Sequence, residues 1–292
     1  MKPPASMTRR ELLRLGGGVS LSLLALKSGA APAAPSADRA VERTRGLTLG
    51  FATIALRDQP IDVAISLARQ LEVPVLVPHN RHISFQRATP EECVAAVGKI
   101  RAAGLELGGS SVVDFTNEET SARRAFENFR AAGLTLMTCK PTLDALPLIE
   151  RLAKEYDFRL AIHNHGPEDR TFPSPKEIWE AVASLDARIG LCLDVGHSWR
   201  AGIDPVEAIH RYSSRLYDLH LKDTLAEVGQ RDIPIELGRG RMDIPAILRA
   251  LLAVGYRGPV TVEYERGGVN VAVGVSESLG FVRGALASFP SV

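Results

Sequence analysis

The sequence predicts an α/β fold, a single (β/α)8 barrel of the TIM type. Three observations carry that expectation. Strand-like and helix-like segments alternate eight times. Roughly 250 residues remain once a leader is set aside, the usual size of such a barrel. Four short apolar segments in the second half each end in residues that bind metals or move protons: 158–165 (FRLAIHNH), 188–194 (RIGLCLD), 215–223 (RLYDLHLKD) and 259–265 (PVTVEYE). Alternate strand residues face opposite sides. One face then holds Leu160, Ile162, Leu191, Leu193, Leu219, Leu221, Val260 and Val262. The other is small at the start of each strand and ends in His163 and His165, Asp194, His220 and Lys222, and Glu263 and Glu265. A parallel barrel produces that division, with helices over the apolar face and ligands gathered at the C-terminal rim. A core strand has no structural use for such groups, since each buried charge is costly unless paired.

The elements follow in order. Residues 46–56 read as the first strand, and 61–71 as a helix with apolar residues at helical spacing. A second strand, 73–79, ends in His79. Thr89-Pro90-Glu91-Glu92 opens a helix that stops at Gly104. A third strand lies within 105–115, and Asn117 caps a helix ending at Gly133. The fourth strand, 134–140, ends in Lys140 and precedes a helix over 142–156. After the fifth strand, Ser174-Pro175-Lys176-Glu177 forms a capping box for a helix to Leu185. The sixth strand ends at Asp194, a loop covers 195–203, and Asp204-Pro205 starts the next helix. The seventh strand ends near Asp223 and leads into a long Gly/Arg loop that includes Arg239 and Arg241. A helix over 244–254, the eighth strand and a helix near 276–288 complete the chain. No G-x-G-x-x-G follows the first strand, which disfavours a doubly wound sheet.

The division is residues 1–37 as a leader and 38–292 as the barrel. Arg9-Arg10, a modest apolar run over 15–26 and small residues up to Ala37 read as a twin-arginine export signal, with cleavage near Ala33 or after Ala37. The mature protein is then expected outside the cytoplasm, in the periplasm of a Gram-negative source. A net charge of +1 supplies no bulk field toward nucleic acid or an acidic membrane. Cys93, Cys139 and Cys192 lack metal-type spacing and read as buried thiols.

Of seven histidines, His79, His163, His165, His197 and His220 fall at or just past strand ends. His82 lies nearby, and His210 reads as a surface residue of a helix. Imidazole and carboxylate together suit one divalent Mn, Co, Zn, Ni or Fe ion. His165 is the first candidate for a base, two residues from His163 on the same face; Lys140 and Lys222 come next as base or leaving-group acid. His197 or His79 could hold substrate hydroxyls, and Arg241 an anionic substrate group.

Three motifs together carry a family resemblance: Gly-Leu-Cys-Leu-Asp194-Val-Gly-His197, His220-Leu-Lys222-Asp223 and Thr-Val-Glu263-Tyr-Glu265. They resemble the sixth, seventh and eighth strands of the sugar isomerase/epimerase superfamily, the xylose isomerase-like barrels. The resemblance implies metal ligands at Asp194, His220 and Glu263, and a substrate-binding histidine at His197. Sugar epimerases carry Glu where this chain has His163, a candidate fourth ligand. One of their two acid/base carboxylates is thus absent, and His-Asn-His165-Gly is closer to inosose dehydratases and enzymes of 3-keto-glycosides. The implied activity is proton abstraction next to a carbonyl, with the enolate stabilised by a divalent metal acting as Lewis acid, and loss or addition of a β-oxygen. The alternatives are an aldose–ketose isomerase or ketose 3-epimerase, and an inactive sugar-binding barrel. A DNA-repair nuclease of the same fold is disfavoured by the charge balance. The expected partner is a small carbohydrate, with no nucleic acid and no membrane after processing.

Overall fold

Nine parallel strand segments form one sheet in a computed structural model that describes residues 44–267 and 270–290. The leader and its cleavage points lie outside the described residues. The chain runs β1 (Thr48–Ala52), α1 (Ile61–Gln70), β2 (Val75–Val77), α2 (Pro90–Ala102), β3 (Glu106–Leu107), β4 (Val113–Phe115), α3 (Glu119–Ala131), β5 (Leu136–Pro141), α4 (Leu146–Tyr156) and β6 (Arg159–His163). It continues through α5 (Pro175–Val182), β7 (Ile189–Asp194), α6 (Val195–Arg200), α7 (Pro205–Tyr212), β8 (Leu216–Leu221), β9 (Asp223–Thr224), β10 (Pro234–Ile235), α8 (Ile244–Ala253), β11 (Pro259–Val262) and α9 (Val271–Ser288).

The sheet order is β3-β2-β1-β11-β8-β7-β6-β5-β4. Its two ends are the halves of what the sequence reads as one third strand. The lower half, β3, pairs with β2, and the upper half, β4, pairs with β5. The sheet therefore returns on itself through a divided strand, consistent with a (β/α)8 fold. Gly108 and Gly109 lie at the division. A Cβ on Gly108 would come within 2.5 Å of Val75 and 3.0 Å of Pro259, so the backbone packs too closely there for any larger residue.

Local signals account for the helix starts. Thr89 and Glu92 form the capping box of α2, and Ser174 and Glu177 that of α5. Each satisfies backbone donors that a helix end leaves bare. Asp204 caps α7 and Asp243 caps α8. The apolar face of α4 buries Leu148, Ile149, Leu152 and Ala153 against the sheet. Phe126 and Phe158 stack at 5.7 Å between ring centres in the same layer.

Several boundaries differ from the sequence reading. The first strand ends at Ala52, and a 3-10 turn follows over Thr53–Leu56. Glu118, not Asn117, caps α3, its carboxylate accepting from the Thr120 and Ser121 amides. Residues 195–200 are helix where a loop was expected: Asp194 accepts from the His197 amide and starts it. A six-residue helix is too short to show a period. The last helix begins at Val271, five residues early, because Gly274 and the small residues around it hide its apolar stripe.

Candidate metal centre and active site

Parallel register brings four strand ends to one level. His163 pairs with Cys192, Asp194 with His220, and Thr261 with His220. His163 Nε2, Asp194 Oδ2, His220 Nδ1 and Glu263 Oε2 then converge. His163 Nε2 is 3.0 Å from His220 Nδ1 and 3.7 Å from Asp194 Oδ2, and His220 Nδ1 is 2.8 Å from Glu263 Oε2. All four residues offer ligand atoms within 4.8 Å of one another. Donors bound at ~2.1 Å to a common ion lie ~3.0 to ~4.2 Å apart, so the spacing suits one transition-metal ion.

Two observations test the fit of a cation. Asp194 Oδ2 and Glu263 Oε2 are buried and accept from no backbone amide or hydroxyl among the described residues; their only close partners are Lys222 Nζ, 3.2 Å from Asp194 Oδ2, and His220 Nδ1, 2.8 Å from Glu263 Oε2. A buried carboxylate oxygen is costly in that condition. Second, with His220 in the neutral form a ligand must take, Asp194, Glu263 and Glu265 bring three negative charges and Lys222 one positive charge, leaving two to balance; without an ion, a proton on His220 offsets part of that excess. A divalent ion supplies that charge, and the two imidazoles complete a mixed N/O donor set. The described residues can thus hold one divalent metal.

The surroundings set each protonation state. Burial first, then the neighbouring imidazoles, push His163 well below its ordinary value, so it is neutral and able to ligate. Burial opposes the charged form of His220, but Cys192, Glu263 and Asp218 outweigh it and carry its pKa well above the usual range. Burial likewise opposes the Lys222 ammonium; Asp194, Glu263 and Glu265 hold it well above the ordinary lysine value. Lys222 Nζ is 2.8 Å from Glu265 Oε2 and 3.2 Å from Asp194 Oδ2. As the structure stands, Lys222 is a proton donor and not a base. Burial raises Glu263, and Lys222 and His220 more than reverse it, leaving the carboxylate well below its ordinary value.

The cluster forms the floor of a cavity of about 300 Å³. His79, Lys140, His165, His197, Lys222 and Glu265 line it, and Ile54, Val77, Pro78 and Val112 supply an apolar wall. His165 meets the His163 carbonyl at 3.2 Å through Nδ1, leaving Nε2 without a partner among the described residues. Burial, then Lys140, lowers its pKa. His79 donates its amide to Thr53 Oγ1 at 2.8 Å, which fixes the loop that carries it. His82 is held by Thr53 Oγ1 and the Gln59 carbonyl, and His210 is exposed. Arg241 is not brought to the cavity. It points outward, bonded to the Leu225 carbonyl and paired with Glu227.

The sequence reading assigns no role to four residues of this region, although it places Asp218 on the inner strand face beside His220. Asp169 forms a close ion pair with Lys140 and lies 3.7 Å from His165 Nδ1. Its signal was its place four residues after His165. Asp218 sits inside the barrel, accepting from Thr138 Oγ1 at 2.6 Å, with His220 Nε2 3.6 Å away. It precedes His220 by two on the same strand face. Arg200, on α6, is buried and donates to His197 Nδ1 at 3.1 Å. The short helix concealed it. Asn164 joins β6 to β7, donating to the Asp194 carbonyl and accepting from the Asp194 amide.

Fold and rim together define a metal-site barrel of the sugar-isomerase type. The chain matches the Xylose isomerase-like TIM barrel family over residues 75–285, and it belongs to that family. Rhizopine catabolism protein MocC of Rhizobium meliloti is 32% identical over 136 residues, 41% of this chain and 40% of that protein. Inosose dehydratase of Geobacillus kaustophilus is 28% identical over 176 residues, covering 55% and 54%. The chain thus spans about half the length of these curated relatives. Probable endonuclease 4 of Mycobacterium tuberculosis is 27% identical over 200 residues, covering 66% and 71%. The crystal structure of IOLI protein with a zinc atom superposes with a TM-score of 0.66 at 14% identity, over 84% of this chain and 100% of that one, and shows the shared fold.

Proposed function

We propose that the protein is a divalent-metal-dependent enzyme that removes a proton next to the carbonyl of a keto-sugar and expels a β-oxygen, a lyase/hydratase acting on an inosose or a 3-keto-glycoside. The observation that carries this reading is the four-donor cluster at the floor of a polar cavity, with two buried carboxylate oxygens that no backbone amide or hydroxyl satisfies. His163, Asp194, His220 and Glu263 would hold the ion, which when bound supplies Lewis-acid polarisation of the substrate carbonyl. The named inosose dehydratase relative supports the substrate class.

The chain's own groups divide the remaining work. His165 takes the proton from the carbon next to the carbonyl, using Nε2. The C–O bond at the β carbon then breaks, and Lys222 or Lys140 protonates the departing oxygen. Proton and hydroxide leave as water, or as an alcohol from a glycoside, with no redox change. His197 and His79 hold substrate hydroxyls. The apolar wall of Ile54, Val77 and Pro78 packs against the C–H face of the ring. A cavity of about 300 Å³ suits a single sugar ring. Among the described residues no arginine lines it, and its two lysines, Lys140 and Lys222, are already paired with Asp169 and with Glu265, which supports an uncharged polyol over a sugar phosphate.

The test combines metal analysis with a substrate screen. Protein expressed without residues 1–37 should contain close to one transition metal per chain, and it should release water from an inosose or the aglycone from a 3-keto-glycoside. Deuterium uptake from D₂O without loss of water or aglycone would make it an isomerase or epimerase instead. Absence of metal after incubation with Mn²⁺ or Co²⁺ would leave a sugar-binding barrel. We also propose export by the twin-arginine route. A reporter fused to residues 1–37 should leave the cytoplasm only when Arg9 and Arg10 are intact.

A further inference from the structure

Arg200 is an unusual residue to find 2% exposed. A buried guanidinium is costly unless its donors are taken up, and in Arg200 the two terminal nitrogens are, while Nε is buried with no hydrogen-bond partner among the described residues. Here Nη1 meets Glu168 Oε1 at 2.6 Å and the Gln230 carbonyl at 3.0 Å. Nη2 meets Glu168 Oε2 at 2.9 Å and His197 Nδ1 at 3.1 Å. One side chain therefore ties the loop after β6, the helix after β7 and the loop between β9 and β10. Gly166 is shaped around it: a Cβ there would lie 2.4 Å from Nη2, at a φ of +86° that side chains rarely adopt.

The contact with His197 has a definite chemical sense. A guanidinium only donates, so His197 Nδ1 must be the acceptor and its proton must sit on Nε2. Nε2 is the nitrogen nearer the metal cluster, 3.9 Å from Asp194 Oδ2, too far for a hydrogen bond. It has no hydrogen-bond partner among the described residues, and His197 lines the cavity.

We infer that Arg200 is a positioning residue that fixes His197 with its proton on Nε2, and thereby makes His197 a hydrogen-bond donor to a substrate oxygen beside the metal site. The donor role rests on the function proposed above; the hold of Arg200 on the tautomer does not. Fixing the tautomer by an outer partner is how proteins orient imidazoles around metal sites. It also excludes His197 as the proton acceptor of the reaction, since its one lone pair is already engaged.

The test is nitrogen-15 NMR of the imidazoles in the protein, metal-free and zinc-loaded, with His197 assigned by the signal missing from His197→Gln. The expected spectrum shows an unprotonated Nδ1 and a protonated Nε2 for His197. Arg200→Met should turn it into a mixture of tautomers. If that variant does not fold, Gly166→Ala displaces the guanidinium without deleting it and should have the same effect. A proton on Nδ1 in the unaltered protein, or an unchanged spectrum in a folded variant, overturns the inference. With a keto-sugar substrate, the variant should raise KM about tenfold with a smaller change in kcat. An altered tautomer with unchanged KM would keep the hold and overturn the donor role. The same altered tautomer with no turnover in any form of the protein would overturn the proposed reaction alone.

Discussion

Two buried carboxylates, on adjacent barrel strands and their extensions, show opposite treatment of the same group. Asp223 is 1% exposed and Asp194 is 0% exposed. Asp223 accepts from the backbone amides of Thr224, Gly238 and Gly240 at 2.9 Å and of Met242 at 3.3 Å. Both its oxygens are used, and the loop that carries Gly238 and Gly240 is folded around them. A Cβ on Gly240 would fall 2.0 Å from Asp223 Oδ1, so this loop is built to the shape of the acid. Asp194 gives one oxygen to the His197 amide, and its other oxygen meets no backbone donor, only the Lys222 ammonium 3.2 Å away. Burial alone says nothing about role. What separates a structural acid from a ligand is whether the fold has supplied backbone donors to every oxygen.

The comparison can be broken at either end. The largest effect is expected at the cluster: His220→Ala or Glu263→Gln should take bound metal from about one per chain to none and lower turnover by more than ~10³-fold. Metal analysis of the purified variants checks this. Asp223→Ala should do the reverse, costing about 3 kcal/mol by stranding buried amides while leaving the metal content of the folded protein unchanged. Urea denaturation reads the loss. If Asp223→Ala released the metal without loss of stability, the distinction would fail.

Lys222 sharpens the comparison, since it is the cation the fold does supply to Asp194 and Glu263. Its removal in Lys222→Met takes away a positive charge 3.2 Å and 3.6 Å from two donor oxygens. Zinc affinity measured by competition with a chelator should rise about tenfold, while turnover falls. An unchanged affinity would mean that Lys222 and the ion do not share those oxygens.

The smallest effect concerns Asp169. Burial raises its pKa, and Lys140 with the Phe172 and Thr171 amides brings it below the ordinary value. A carboxylate held lower in the folded chain adds stability above its unfolded pKa of about 3.9, and that contribution disappears as pH falls through the folded value. Asp169→Asn should therefore flatten the acid loss of stability below about pH 4, in thermal melts taken across that range. An unaltered profile would show that the Lys140–Asp169 pair is not coupled to folding.

The barrel was readable because its two periods are strong: apolar alternation in the second-half strands and capped amphipathic helices between them. His163, Asp194, His220 and Glu263 were readable as a group because parallel strands of matched register place their last residues at one level. What stayed hidden depends on contacts distant in sequence. Arg200 reaches Glu168 and Gln230 across two loops, and nothing in the local pattern around Trp199 announces it. Asp169 acquires its role only when Lys140 arrives from another strand. Arg241 looked like a rim cation because a Gly/Arg loop gives no direction. The Asp223 anchor turns that loop so that Arg241 faces Glu227.

The divided third strand has a consequence for how the ring comes apart. A closed sheet has no end from which to fray, so opening must begin by breaking a ladder in mid-circuit. Here β3 contributes two residues to one neighbour and β4 three to the other, whereas β6, β7 and β8 pair over four-residue runs and β11 meets β8 over three. The circuit is weakest at Gly108 and Gly109, on the side away from the metal ligands. Unzipping from there would expose strand edges while β6, β7 and β8 were still joined, so His163, Asp194 and His220 belong to the part of the barrel that would lose its order last.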